Sequence, residues 1–448
     1  MPAFLGCRPA ARRSWGRMAA CPGWYHTQAA MPAPLWATTC HGRNKDQPQR
    51  MNHPKLQLKK NEDRRLRAGH LWIFSNEVDT GATPLTGLET GSLVDVVARN
   101  GRPLGTAVVN PHSLICARLI GRATGMVLDK SLIKHRINIA AGLRRRLYGD
   151  GASCRLVFGE ADGLPGLVVD RMANVLAVQT TTAGMDRRTD AIIAALKESL
   201  KPDGIVLRND NPVRRLENLE EFCEVADGTV PERVTIEEGG LNFTVDPRAG
   251  QKTGWFFDQA DNRRRLARHL PDGARVLDLY SYAGAWGLQA AAAGAAEVLC
   301  VDQSEAALAE AAANARGNNL DVETRQGEVM DVLRALRAEE RKFDVVICDP
   351  PALIRRRKDW KPGRRAYRQL NQAALQLVAP DGLLVTSSCS FHMPERELLR
   401  TVQAAGKHLD RALQLLETGH QGPDHPVHPA IPETAYLKTL FLRVLMSW

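Results

Sequence analysis

From about residue 248 onward, short apolar runs alternate with Ala- and Leu-rich stretches of helical period, and this alternation constrains the fold more than any other feature. The apolar runs are Arg275–Leu279, Glu297–Val301, Phe343–Cys348 and Leu383–Ser387, with a further short strand expected at Val322–Arg325 before Glu328. The helical stretches are Trp286–Ala293, Glu305–Asn314, Met330–Arg337 and Arg368–Val378. Strand followed by helix, repeated, predicts an α/β domain built on a doubly wound, mostly parallel sheet.

In such sheets ligands bind outside the carboxyl ends of the strands, so the residues that end each run are the first candidates for chemistry. The first run continues through Asp278-Leu279-Tyr280-Ser281-Tyr282-Ala283-Gly284, a turn whose small residues let backbone approach a ligand closely. It is not a full G-x-G-x-x-G, so a dinucleotide cradle is not supported. The second run ends at Asp302, 24 residues after Asp278, a spacing that suits a ribose diol; taken alone, Asp302 is equally a helix N-cap. Another ends in Cys348-Asp349-Pro350-Pro351. Two prolines in succession, neither with an N–H, stop the strand abruptly and leave Asp349 at the mouth of the sheet. The ordered set resembles the class I S-adenosylmethionine-dependent methyltransferases. That resemblance implies a Rossmann-like methyltransferase domain with S-adenosylmethionine as cofactor. It implies Asp278, Tyr280, Gly284, Asp302, Glu328, Asp349 and Pro350 as cofactor-binding residues, with Glu328 at the adenine end.

Asp349 has a second reading, since an acid at that position can hold or protonate a nucleobase. Methyltransferases that act on base amino groups usually follow Pro-Pro with an aromatic residue; here Ala352 and Leu353 follow. The next run ends in Ser387-Ser388-Cys389-Ser390, and neighbouring strands lie about 4.8 Å apart, which places Cys389 near Asp349. A thiolate adds readily to carbon 6 of cytosine and leaves again easily. The addition makes carbon 5 electron-rich enough to take a methyl group from a sulfonium; a base then removes the carbon 5 proton before the thiol is eliminated. Cys389 and Asp349 are therefore the catalytic candidates, against the plainer alternative that Cys389 packs in the core. Cys348, one residue before Asp349, faces the other way and is expected to be structural.

Charge singles out one more segment. The chain carries a net +10, of which residues 1–50 hold +6 and residues 355–368 hold +7, leaving everything else net negative. Arg355, Arg356, Arg357, Lys358, Lys361, Arg364, Arg365 and Arg368 read as a basic loop directly after Asp-Pro-Pro, suited to an RNA phosphate backbone. Trp360 and Tyr367 lie among them as candidates to stack bases. A solvated loop is the alternative. Arg65 and Arg67 belong to a smaller basic patch at 64–70.

Upstream, residues 51–125 show short strands and turns, and residues 126–247 mix helix with strand and end in a hairpin over Val234–Val245, turned at Gly239-Gly240. Residues 1–50 are Arg-rich and acid-poor without a period, and read as a disordered or non-native tail or a transit segment. The nine cysteines form no C-x-x-C pair and no Cys/His set of zinc type, so no metal site is expected and a reduced, cytoplasmic chain is. No run of about 18 apolar residues is present, so no membrane helix is expected.

Four further segments complete a resemblance over residues 51–448. They are Arg65 to Phe74 with Val108-Val109-Asn110-Pro111-His112-Ser113, Gly159-Glu160-Ala161-Asp162-Gly163-Leu164-Pro165-Gly166-Leu167-Val168-Val169-Asp170-Arg171, Gln251-Lys252-Thr253-Gly254-Trp255-Phe256-Phe257-Asp258-Gln259, and Asp424-His425-Pro426 with Tyr436-Leu437-Lys438. Together they resemble the bacterial 23S rRNA (cytosine-5-)-methyltransferases. The resemblance implies a small β-rich PUA-like RNA-binding domain (51–125), a mixed α+β central domain (126–247) and the methyltransferase domain (248–448). It also implies Cys389 as nucleophile with Asp349 as its partner, and 23S rRNA, naked or in an assembling large subunit, as the substrate. Methylation of another base or position, a non-catalytic ribosome-assembly factor, and the oligomeric state, a homodimer included, stay open.

Overall fold

The computed structural model describes residues 51–251 and 253–446; the tail 1–50 lies outside the described residues. Among the described residues, three larger sheets follow one another along the chain, with a two-stranded hairpin between the second and the third. The first is formed by β1 (Lys55–Gln57), β2 (Trp72–Phe74), β3 (Leu93–Val97), β4 (Pro103–Val109) and β5 (Ile115–Gly121) in the order β1-β3-β4-β5-β2, with the single turn α1 (Arg64–Arg67) beside it. Alternate residues such as Val94, Val96, Ala107, Val109 and Ala117 face one core. A second sheet follows α2 (Lys130–Tyr148). It contains β6 (Cys154–Phe158), β7 (Leu167–Met172), β8 (Val175–Thr180), β9 (Gly204–Arg208) and β10 (Cys223–Gly228), with the helices α3 (Ala183–Asp186) and α4 (Thr189–Leu200) between β8 and β9. The strands β11 (Val234–Glu238) and β12 (Leu241–Val245) pair as the expected hairpin, with Gly239 and Gly240 both at positive φ in the turn. It leans on the third layer: Asn318 and Asn314 accept from Asn242 N–H and Thr244 N–H at 2.9 and 2.8 Å.

The third sheet carries the α/β alternation. After α5 (Ala260–Leu266) the elements are β13 (Arg275–Leu279), α6 (Ala285–Ala292), β14 (Glu297–Asp302), α7 (Glu305–Gly317), β15 (Glu323–Gln326), α8 (Val329–Ala338), β16 (Phe343–Cys348), α9 (Trp360–Leu377), β17 (Val378–Ser388), α10 (Glu395–His408), β18 (Arg411–His420) and β19 (Lys438–Met446). The strand order is β15-β14-β13-β16-β17-β19-β18, parallel through β17 and antiparallel beyond it. Leu277, Leu279, Val346 and Leu384 face a layer made by α8, α9 and α10, while Val276, Val298, Val345 and Val385 face Leu266, Trp286 and Leu308 of α5, α6 and α7. Strands buried on both faces explain the unbroken apolar runs. The order reverses between β13 and β16, which opens a crevice at their carboxyl ends.

One expectation needs correction here. Residues 355–368 are not a loop throughout: after the irregular Arg355 and Arg356, a short 3₁₀ turn, Arg357–Asp359, leads straight into α9. Pro362 is tolerated because it falls in the first helical turn, where its missing N–H has no intrahelical partner. Gly363 lets the helix lie on the preceding chain, since a Cβ there would sit 2.6 Å from the Leu353 carbonyl and closer still to Ile354.

Candidate functional site

Above the switch point lies a cavity of about 540 Å³, within the range of small-molecule sites. Its walls include Tyr280, Ser281 and Tyr282 after β13, Asp302 at the end of β14 with Gln303, Asp349 to Ala352 after β16, Cys389 after β17, and Trp255, Phe256, Asp258, Gln259 and Leu437 from flanking segments. Of the expected site residues, Tyr280, Asp302, Asp349, Pro350 and Cys389 therefore come together. Asp278, Gly284 and Glu328 do not reach the wall.

Each exception has a local cause. Asp278 is fully buried in β13, where Oδ2 accepts from Gly287 N–H at 2.9 Å and braces the start of α6. Burial pushes its carboxyl up to about 8, with the Asp349 and Asp302 charges adding to the rise. Gly284 has φ 82°, and a Cβ there would meet Leu288 and Ala311 at 2.8 and 2.9 Å, so its missing side chain leaves room for those two residues. Glu328 is exposed and caps α8, its Oε2 accepting from Met330 N–H and Asp331 N–H at 2.8 and 3.2 Å.

The loop after β13 is strained. Tyr280 and Tyr282 both sit at positive φ, 62° and 47°, a conformation that side-chain-bearing residues adopt mainly where the surroundings impose it. Asp302 is part of that imposition: Oδ2 accepts from Tyr282 N–H at 3.0 Å and Oδ1 from Ser304 N–H at 2.9 Å. Each oxygen retains a second lone pair, so the carboxylate fixes the turn and still offers acceptors to a ligand.

Asp349 is half-buried, and three residues hold it in place. Gln259 Nε2 donates to both carboxylate oxygens at 2.9 Å and Trp286 Nε1 to Oδ2 at 3.1 Å. Asn262 Nδ2 in turn donates to Gln259 Oε1 at 2.7 Å, which fixes the orientation of that amide. Burial raises the Asp349 carboxyl above its ordinary value despite these donors. Cys348, by contrast, is fully buried in the sheet core with its thiol pushed up by desolvation, as expected of a structural cysteine. Cys389 is half-buried and opens onto the cavity. The residues on either side of it are pinned: Tyr367 Oη lies 2.8 Å from Ser388 Oγ and 3.2 Å from Ser390 Oγ, and Ser390 Oγ accepts from Ile354 N–H at 3.1 Å. Tyr367 is thus fully buried and unavailable to stack a base, which corrects its expected role.

Gln259, Trp286 and Tyr282 carry no sequence signal of a site role by themselves, although Gln259 ends the Gln251–Gln259 run and Tyr282 sits in the strand-end turn. Arg355, Arg356, Arg357, Lys358 and Arg365 are exposed, and Arg364 stacks over the Trp360 ring at 5.3 Å. Arg65 and Arg67 lie away from the cavity wall, paired with Glu77 and Asp63 at 2.5 and 3.0 Å.

The wall chemistry fits S-adenosylmethionine. Three carboxylates, Asp258, Asp302 and Asp349, line the cavity with one guanidinium, Arg263, which is already paired with the buried Glu238 at 2.6 Å. Such a surface favours a cationic sulfonium, and Asp302 supplies acceptors for hydroxyl groups. Among the described residues, no cluster of His, Cys, Asp or Glu is arranged to hold a metal ion, and no helix is long and apolar enough to cross a membrane.

Comparison with known proteins agrees with this geometry. Residues 56–122 match the PUA-like domain family, and residues 213–443 match the S-adenosylmethionine-dependent methyltransferase family. The chain is 35% identical over 381 residues to ribosomal RNA large subunit methyltransferase I of Pseudoalteromonas atlantica, covering 84% of this chain and 95% of that one. It is 36% identical over 398 residues to the protein of the same name from Shewanella frigidimarina, covering 87% and 99%. Among solved structures, a SAM-dependent methyltransferase from Streptococcus mutans shares the fold with a TM-score of 0.74 at 20% identity, covering 87% of this chain and all of that one. A methyltransferase solved in complex with SAH superposes with a TM-score of 0.75 at 21% identity, over the same shares.

Proposed function

The chain belongs to the ribosomal RNA large subunit methyltransferase I family of S-adenosylmethionine-dependent methyltransferases, and from that premise we propose that it methylates carbon 5 of a cytosine in 23S rRNA through a covalent Cys389–cytosine adduct. The observation that carries the reading is the opening of Cys389 and Asp349 onto one cavity with Asp302. When bound there, the cofactor supplies an electrophilic methyl group. Asp302 holds its ribose, and Tyr280 and Pro350 close the wall beside it.

The remaining chemistry belongs to the protein and the base. The Cys389 thiolate forms a bond to carbon 6, and the electron pair displaced from the 5,6 double bond moves toward carbon 5 and the ring. Asp349, whose raised carboxyl keeps a proton more readily than an ordinary acid, hydrogen-bonds the ring as charge develops on it. Carbon 5 takes the methyl group; a base, for which solvent water suffices, then takes the carbon 5 proton, the electron pair of that C–H bond re-forms the double bond, and the thiolate is expelled. The exposed Arg355, Arg356, Arg357, Lys358 and Arg365 and the half-buried Arg364 contact RNA phosphates, and the PUA-like domain with Arg65 and Arg67 adds a second contact, which helps offset the few kcal/mol needed to flip the base. In this reading the division at 125 and 247 separates RNA capture from chemistry, and the protein works in the cytoplasm.

The test is adduct trapping with 23S rRNA fragments carrying 5-azacytosine. Wild-type protein is expected to form a species stable to denaturation, and Cys389→Ala to form none and to lose methylation of normal RNA. Methylation retained by Cys389→Ala would move the target to another base or position.

A further inference from the structure

Lys438 opens β19 and is 6% exposed. Its ammonium donates to the Ser390 carbonyl at 2.7 Å and to the Tyr436 carbonyl at 2.8 Å. The β17–β19 register sets Lys438 opposite Ser388, so the side chain reaches past Cys389 to the next peptide. Two neutral carbonyls are a thin environment for a desolvated ammonium. Burial lowers the Lys438 ammonium to about 8, while Cys389 and Glu395 act against that fall and strengthen its hold on the proton. Such coupling is reciprocal: a thiolate that stabilises an ammonium is stabilised by it to the same extent.

The surrounding groups leave this task to Lys438. Tyr367 of α9 presents a hydroxyl to the serines on either side of Cys389, and Glu395 of α10 is an acid with His420 3.9 Å away. Tyr436 donates to Asp258 at 2.6 Å, and Asp349 is held by Gln259 and Trp286. Of the nearby cations, Arg263 is committed to Glu238 and Arg155 to Asp170.

We propose that Lys438 is a positioning residue for Cys389: anchored on the Ser390 and Tyr436 carbonyls, its ammonium holds the thiol in its thiolate form and fixes the turn that aims it into the cavity. The inference rests on the reading of Cys389 as the nucleophile. Its test needs no RNA. Full-length protein is treated with iodoacetamide across a pH series, and alkylation of the Cys389 peptide is followed by mass spectrometry. The wild-type midpoint is expected below the ordinary thiol value of about 8.5. Lys438→Met is expected to raise it by about one pH unit, so that alkylation near neutral pH slows about tenfold, with Lys438→Arg closer to wild type. A wild-type midpoint at or above the ordinary value, a result independent of how any variant folds, would overturn the proposal; so would a Lys438→Met midpoint equal to wild type. Adduct trapping separates the two readings. A trapped wild-type adduct with an unmoved midpoint removes Lys438 alone, whereas a moved midpoint with no adduct removes the nucleophile.

Discussion

At the scale of single residues, the acids at the strand ends divide by what their oxygens touch. Asp302 and Asp349 are oriented by backbone or side-chain N–H groups and still line the cavity, while Asp278 and Glu328 each commit one oxygen to the start of a helix, α6 and α8 respectively. Asp278 makes the difference measurable. Its carboxyl ionises near 3.8 in an ordinary setting and near 8 in the fold. Below the lower value the group is neutral in both states, and its contribution to stability is fully present. As pH rises toward the folded value the unfolded chain ionises first, and on the order of 5 kcal/mol is lost. Asp278→Asn keeps an oxygen for the Gly287 N–H but never ionises. Its Tm is expected to gain on wild type steadily between about pH 5 and about pH 8, by several degrees in all. A difference that does not change with pH would mean that the Asp278 carboxyl ionises in the fold as readily as in the unfolded chain. The residue type and strand-end position of Asp302, Asp349 and Cys389 are readable from sequence. Whether a given acid caps a helix or faces a ligand is not, because both tasks select the same side chain at nearly the same place.

At the scale of elements, local pattern locates the parallel strands well and the flanking pieces poorly. The apolar runs Phe343–Cys348 and Arg275–Leu279 are strands with those same boundaries. β18 and β19 escape the pattern, since their pairing joins segments separated by the Gln421–Leu437 connection and leaves no local turn signal. The N-terminal half of α9 reads as loop because Lys361-Pro362-Gly363 resembles a breaker, whereas the helix needs that glycine to pack on Leu353 and Ile354. The correction sharpens the expected role of the basic segment. Arg355, Arg356 and Arg357 are exposed at the entry to a helix, four to six residues after the Pro351 that lines the cavity. Replacing all three with Ala should weaken RNA binding and flatten the slope of log affinity against log salt by about 0.7 for each single-strand phosphate that is no longer neutralised. A slope equal to wild type would mean that these arginines are solvated and take no phosphate.

At the scale of the whole molecule, the net +10 does not describe a basic surface, because one segment after Asp-Pro-Pro carries +7 and the tail +6. A cavity floored by β13 and β16 but walled by Asp258, Gln259 and Leu437 also depends on how the second and third sheets are joined. A buried polar knot makes that junction. Arg144, on α2, donates to Asp162 at 2.7 Å and to the Asp424 carbonyl at 2.6 Å, and the Asp424 side chain accepts from Arg155 N–H of β6 at 3.0 Å while His425 Nδ1 lies 2.8 Å from its other oxygen. Arg155 continues the knot to Asp170, which also accepts from Thr253 on the segment leading to the cavity. From the same turn, Gly422 N–H donates to the Asp258 carbonyl at 3.1 Å, tying the knot to the wall itself. Asp424→Ala leaves the buried Arg155 N–H without its acceptor, a loss of about 1–3 kcal/mol, and frees the turn that supports Asp258. It is therefore expected to lower Tm and to weaken S-adenosylmethionine binding together, whereas Asp424→Asn, which keeps an oxygen for Arg155, should recover most of both. Calorimetric titration and thermal melts of the two variants decide the matter. If Asp424→Ala lowers Tm yet binds the cofactor as wild type does, the junction stabilises the chain without shaping the cavity.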